Sequence, residues 1–236
     1  MPEPGLPLVR ASKLLRCYRT GGRGIAALSA VSFDIYPNEH IALVGPSGSG
    51  KSTLLGLVAG LDRSDGGTIE WPQLVLNGKG RPDGIAVAFQ APSLIPSLTV
   101  SENCMLPLVL AGQGGSSAKA LDALALFGIA DLADRLPEQI SGGQAQRAAL
   151  ARAVATEPRL LIADEPTGQL DQVTRVRVIE ALVGWSRTKG CSLLIASHDR
   201  DIAGLVDSVW TIDHGKLSYP SRDPGKGAGP DWGNAA

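Results

Sequence analysis

The sequence predicts an α/β fold: a parallel sheet wrapped by helices, an N-terminal antiparallel β subdomain, and a helical subdomain inserted into the core. Three observations predict it. Four near-continuous apolar runs, "HIALVG", "GIAVAF", "RLLIAD" and "CSLLIAS", have the make-up of strands buried on both faces, as in a parallel sheet. The first run leads through a glycine-rich loop into the helical pattern "KSTLLGLVAGL", the strand–loop–helix order of an α/β core. Between Val100 and Ile140 strand signals stop, and "AKALDALALFGIADLADRL" takes helical spacing.

In chain order, "ALSAVSFDIY" alternates in hydrophobicity and predicts antiparallel strands at the N-terminus. The loop that follows the first apolar run then fits G-x-x-x-x-G-K-[ST] from Gly45 to Ser52, in the strand-to-helix context that motif requires. Its glycines let backbone N–H groups turn inward around phosphate oxygens. The predicted nucleotide-binding segment is Gly45, Pro46, Ser47, Gly48, Ser49, Gly50, Lys51, Ser52 and Thr53. Lys51 is placed to reach the β- and γ-phosphates and the Ser52 hydroxyl to hold Mg²⁺. The core is therefore expected to be that of a P-loop NTPase.

The other apolar runs end in chemistry. Asp164 closes a buried strand, where a carboxylate has no packing role, and is expected to reach Mg²⁺. Glu165 follows it and is the candidate general base for an attacking water. His198 and Gln90 each follow a run in the same way. Parallel strands would bring all of these residues to one sheet edge, where α/β proteins bind ligands. His198 is expected to contact the γ-phosphate, and Gln90 to orient the water or Mg²⁺.

Composition excludes several classes. The 236 residues suit one large domain, and 44% hydrophobic content supports a sizeable core. A formal net charge of −1 gives no sign of a nucleic-acid binder. Cys17, Cys104 and Cys191 are odd in number and far apart, so they suggest neither a disulfide framework nor a zinc site. No signal-peptide pattern and no membrane-spanning run is present, so direct membrane insertion is not expected. Residues 219–236, rich in Gly, Pro and Asp, predict a disordered tail.

One motif is left over. "ISGGQAQRAALARA" reads as a good helix from Ala145 onward, yet it begins with a serine and two glycines. A helix N-terminus stripped of bulk is a place for an anion. Together with "GPSGSGKST", "FQ", "LLIADEPTGQLD" and "SHD", in that order, it makes residues 8–218 resemble the nucleotide-binding subunit of an ABC transporter, with the helical subdomain at about 92–153. The resemblance implies two such domains closing head to tail around two ATP. Ser141, Gly142, Gly143 and Gln144 would meet the γ-phosphate bound by the partner chain, and Asp171 would lie at the same seam. It also implies that Tyr18 stacks on adenine, that separate transmembrane permease subunits are driven, and that the chain sits peripherally on the cytoplasmic face of the cell membrane.

Within the family, "DEPTG.LD", "SENCMLPLVLAG" and the segment after His198 are most similar to the lipoprotein-releasing and macrolide-export group. This implies export, or extraction of lipoproteins or peptides. The short stretch before Gln90 resembles importer ATPases instead, and a regulatory ATPase paired with a non-transporting membrane protein is the other alternative. The loop "APSLIPSLTVSEN" is expected to touch the membrane partner through Leu94, Ile95 and Leu98, or else to pack these residues into the chain's own helices. Three departures from the family pattern stand out: Ile140 for leucine, Asn38 for a common glycine, and Gln169 for asparagine. "TIEWPQLVLNGKGRPDG" fits the pattern poorly.

Overall fold

Three strands bury every one of their residues: β3 (His40–Val44), β6 (Leu160–Asp164) and β7 (Ser192–Ser197). They are the centre of a six-stranded sheet in a computed structural model that describes residues 5–20, 23–78, 80–112, 114, 116–198 and 200–219. With β5 (Ile85–Ala88), β8 (Ser208–Asp213) and β9 (Lys216–Ser218), the order is β5-β6-β7-β3-β8-β9. All neighbours are parallel except β8 and β9. The four apolar runs of the sequence are thus four adjacent parallel strands.

Period-two alternation sorts their side chains between two cores. Ile41, Leu43, Leu160, Ile162, Leu194 and Ala196 face one side. There they meet α1 (Lys51–Val58) and a second sheet of β1 (Val9–Thr20), β2 (Arg23–Ile35) and β4 (Gly66–Glu70). Ala42, Val44, Leu161, Ala163, Leu193 and Ile195 face the other. They pack against α5 (Gln172–Lys189) and the helices α2 (Val100–Leu110), α3 (Ser117–Leu126) and α4 (Gly142–Val154).

The N-terminal sheet is antiparallel, in the order β2-β1-β4. Its third strand comes from the stretch that fits the family pattern poorly. "GGTIE" is too polar to announce a strand, and it becomes one by pairing Arg10 with Glu70 and Ala11 with Ile69. Trp71 then donates from Nε1 to Val58 O (2.9 Å), tying that connection to the end of α1. Asn38 adopts φ 62°, a left-handed turn that asparagine tolerates nearly as glycine does, so the turn into β3 accommodates the change.

Helix starts are capped by their own sequence. Thr99 and Glu102 form a capping box at α2, and Asp171 caps α5 by accepting from Thr174 N (3.0 Å). Buried Asn103 clamps the loop before α2: its amide donates to Ile95 O, Leu98 O and Thr99 O and accepts from Ile95 N (2.7–3.1 Å). Leu94 packs against the helical core, whereas Ile95 is exposed. Tyr219 rests on Trp210, ring centroids 5.3 Å apart. The rest of the tail, residues 220–236, lies outside the described residues, as does Asp199 of "SHD".

Candidate active site

The site is assembled where the parallel strands end. The loop after β3 turns through Gly48 (φ 77°) and Gly50 (φ 110°) into α1. A Cβ on Gly50 would run into Ala27 O, so the close approach admits only glycine there. Lys51 is buried, and its ammonium lies inside the loop, donating to Gly45 O (2.8 Å) and Pro46 O (3.1 Å). The buried Ser49 hydroxyl has no partner among the described residues.

Asp164 and Glu165 follow one another but have different surroundings. Asp164 is buried, and burial raises its carboxyl above the ordinary range; a hydrogen bond from Ser52 pulls it back, Glu165 pushes it up and Lys51 lowers it. The folded chain holds that proton more tightly, so the stability gained from the protonated carboxyl is present below the unfolded carboxylate pKa and is lost as pH rises through the folded one. Asp164 Oδ1 is buried with no partner among the described residues, and the other half of the pair is a hydroxyl at the start of α1. An orphaned carboxylate oxygen beside a serine hydroxyl fits a hard dication such as Mg²⁺, whose charge offsets the burial penalty.

Glu165 takes φ 47°, a strained conformation for a non-glycine residue, of the kind that gathers at functional sites. Its backbone N–H donates to Ala196 O (3.0 Å). One carboxylate oxygen lies 3.7 Å from Lys51 Nζ, and the other is 2.7 Å from His198 Nδ1. The strand ends thus bring Lys51, Asp164, Glu165 and His198 together. The side chain of Gln90 is exposed after β5, at the end of the neighbouring strand.

The leftover helix start is a second, separate feature. Ser141 caps α4: its Oγ accepts from Gln144 N (3.2 Å), and Gln144 Oε1 accepts from Ser141 N (2.8 Å). This box leaves the amides of Gly142 and Gly143, which no intrahelical acceptor can serve. Both glycines lie close under the neighbouring loop: a Cβ on Gly142 would displace the Gln169 side chain, and one on Gly143 would lie 2.9 Å from Leu170 Cδ2 and 3.2 Å from Gln169 O. The surrounding hollow is lined by Ser141, Gly142, Gly143, Gln144, Gln169 and Asp171 among others, and no residue of the Gly45–Thr53 loop reaches it.

Tyr18 lies on β1, 40% exposed. Its hydroxyl donates to Asp62 Oδ2 (2.9 Å), and the Arg16 guanidinium stacks 4.7 Å from the ring centre while pairing with Asp62 and Asp65. One ring face is thereby covered and the ring is held in place. Sequence reasoning missed this support, and also missed Gln146, a buried glutamine on α4. The only sequence signal for Gln146 is its place on the apolar stripe of α4 with Leu150 and Ala153.

A glycine-rich loop with an inturned lysine after β3, and an acid at the end of β6, a parallel strand of the same sheet one place beyond β7, define a P-loop nucleoside triphosphatase. The ABC transporter family profile matches residues 28–168. The chain is 38% identical over 220 residues to an uncharacterized ABC transporter ATP-binding protein of Mycobacterium tuberculosis, covering 89% of each. It is equally identical over 220 residues to the lipoprotein-releasing system ATP-binding protein LolD of Novosphingobium aromaticivorans, covering 89% of this chain and 98% of LolD. Among solved structures, the dimeric post-hydrolysis state of the ATP-binding cassette MJ0796 bound to ADP and Pi overlays with a TM-score of 0.81 at 31% identity, covering 89% of this chain and 96% of the cassette. The chain belongs to the ABC transporter family; it is an ATP-binding subunit and an ATPase.

Proposed function

We propose that this ATPase closes head to tail on a second copy around two ATP and drives a separate membrane permease in export or in extraction of lipoproteins or peptides. The observation that carries the reading is the hollow at the start of α4, where unpaired helix amides suit an anion and which the chain's own phosphate loop does not line. In a head-to-tail pair, Gly142 and Gly143 would donate to the γ-phosphate held by the partner's Gly45–Thr53 loop, with Asp171 at the seam. ATP then joins the two chains through its γ-phosphate, and hydrolysis releases them. Support for the dimer comes from MJ0796, whose solved form is dimeric. Support for lipoprotein work comes from the LolD relatives, named for lipoprotein release.

In the bound state Lys51 would hold the β- and γ-phosphates, and Ser52, Asp164 and Gln90 would hold Mg²⁺. The metal supplies charge neutralisation on the phosphate oxygens. Glu165 takes the proton of the attacking water, oriented by Gln90, and His198 both fixes the Glu165 carboxylate and touches the γ-phosphate. Tyr18 stacks on adenine. Aromatic stacking on a base is worth about 1–3 kcal/mol, so Tyr18→Ala should weaken ATP binding roughly 5- to 150-fold while Tyr18→Trp largely keeps it. Equal affinity of the three chains in a fluorescent-nucleotide titration would leave Tyr18 as a plain strand residue.

Among the described residues no helix is long and apolar enough to cross a membrane. As the ATPase of a separate permease, the chain would sit peripherally on the cytoplasmic face, with the loop after Gln90 as its contact. Ile95, exposed in that loop, tests it. Cys17 is exposed and is replaced by serine first; Cys104 and Cys191 are pushed up to about 12 by burial and stay inert. Ile95→Cys in that background should cross-link to a cytoplasmic loop of the permease. Cross-links only from other surfaces would move the contact elsewhere.

A further inference from the structure

One side chain connects the α4 helix to both hydrolytic loops. Gln146 is 2% exposed. Its Nε2 donates to Gln90 O (3.4 Å) and to Glu165 O (3.3 Å), while its Oε1 is buried with no partner among the described residues. Gln90 and Glu165 follow adjacent parallel strands, β5 and β6. A single amide group therefore straddles the two backbones that carry the proposed water- and metal-orienting side chain and the proposed base. Farther along the same helix, Arg152 donates to Pro92 O (2.8 Å) and Ser93 O (2.9 Å), gripping the segment just after Gln90.

This arrangement is a poor stabiliser. Both bonds are long, and a buried amide oxygen without a partner carries its full desolvation cost. A thioether of the same length would fill the space without that cost. What the amide supplies is geometry: it refers two carbonyls to one point on α4, whose first turn is the proposed docking place for the partner's γ-phosphate.

We infer that Gln146 is a positioning residue that sets Glu165 and Gln90 relative to one another from α4, so that seating of the helix start on the opposite nucleotide and assembly of the hydrolytic residues become one event. Glu165 is sensitive to this because its backbone is already strained at φ 47°. Its carbonyl accepts from Gly168 N (3.2 Å) as well as from Gln146, so losing Gln146 leaves that peptide held by Gly168 N alone and lets it tilt with the carboxylate it carries. The inference rests on the reading of Glu165 as base and Gln90 as the orienting residue.

Gln146→Met tests it in the full chain, with Gln146→Asn as a second variant that keeps the amide but falls short of the two carbonyls. Turnover should fall about tenfold in both, a change of 1.36 kcal/mol in the barrier, while the KM for ATP stays within about twofold. The thermal midpoint of Gln146→Met should stay level or rise, since an unpartnered buried oxygen is removed. Hydrogen exchange of the nucleotide-free Gln146→Met chain should quicken over residues 88–93 and 164–168 and nowhere else in the sheet. Turnover within twofold of the parent overturns the inference. So does a fall in turnover that comes with a lowered thermal midpoint and a raised KM, which marks a merely structural residue. Glu165→Gln measured alongside separates the two levels: an active Glu165→Gln chain overturns the base assignment, whereas an active Gln146→Met chain beside a dead Glu165→Gln chain overturns the coupling alone.

Discussion

Glu165→Gln should bind ATP with near-parental affinity and lose hydrolysis by a factor of about 10²–10⁴, the usual contribution of a positioned general base. The change is isosteric. An amide oxygen can still accept from His198, whose Nδ1 stands 2.7 Å from the carboxylate. The phosphate cradle of Gly45–Thr53, with Lys51 bonded to Gly45 O and Pro46 O, is left alone. What is lost is the proton acceptor, together with one charge 3.7 Å from Lys51. Binding therefore survives and chemistry does not, and the ATP-joined dimer of the proposed cycle should persist long enough to be seen by size exclusion. Near-parental turnover would show that Glu165 is not the base.

The parts of this site that the sequence made legible are those in which one residue type admits one role. "HIALVG", "RLLIAD" and "CSLLIAS" read as buried parallel strands because each carries four apolar residues in an unbroken row, and strands β3, β6 and β7 are buried throughout. Once they are parallel, Gly45, Asp164 and His198 must share an edge. Strand β4 was not legible, because "GGTIE" has no apolar periodicity and owes its conformation to pairing with β1 across more than fifty residues of chain. The support of Tyr18 is hidden for the same reason: Arg16 and Asp62 meet at a separation of 46 residues. Gln146 was hidden differently. A glutamine in a helix reads as a surface residue, and only the fold shows that its face of α4 points at two strand ends. Glu165 was legible as an acid, but its strained backbone was not, since φ depends on how the chain leaves β6 toward α5.

Mixing two inactive variants should restore part of the ATPase activity, because the proposed site is shared between chains. Lys51→Ala removes the ammonium that lies inside the chain's own phosphate loop. Ser141→Arg breaks the capping box of α4 and sets a bulky cation in the hollow beside Gly142 and Gly143. That hollow is not lined by the same chain's phosphate loop, so in the proposed dimer the second lesion would act on the partner's nucleotide. Each homodimer should be dead, since each of its two sites carries one lesion. In the heterodimer one site carries both lesions, and the other pairs an intact loop with an intact helix start. Random pairing makes half of the dimers heterodimers, each with one sound site, so recovery reaches at most about a quarter of parental activity when the sites fire independently. Two sites that must fire together would hold the mixture near zero, so the partition of a γ-phosphate photo-cross-link decides the matter. In an isolated heterodimer of parental and Lys51→Ala chains, nucleotide loads on the parental phosphate loop, the label should land on Ser141 of the Lys51→Ala chain, and a label confined to Ser141 of the parental chain would sink the shared site.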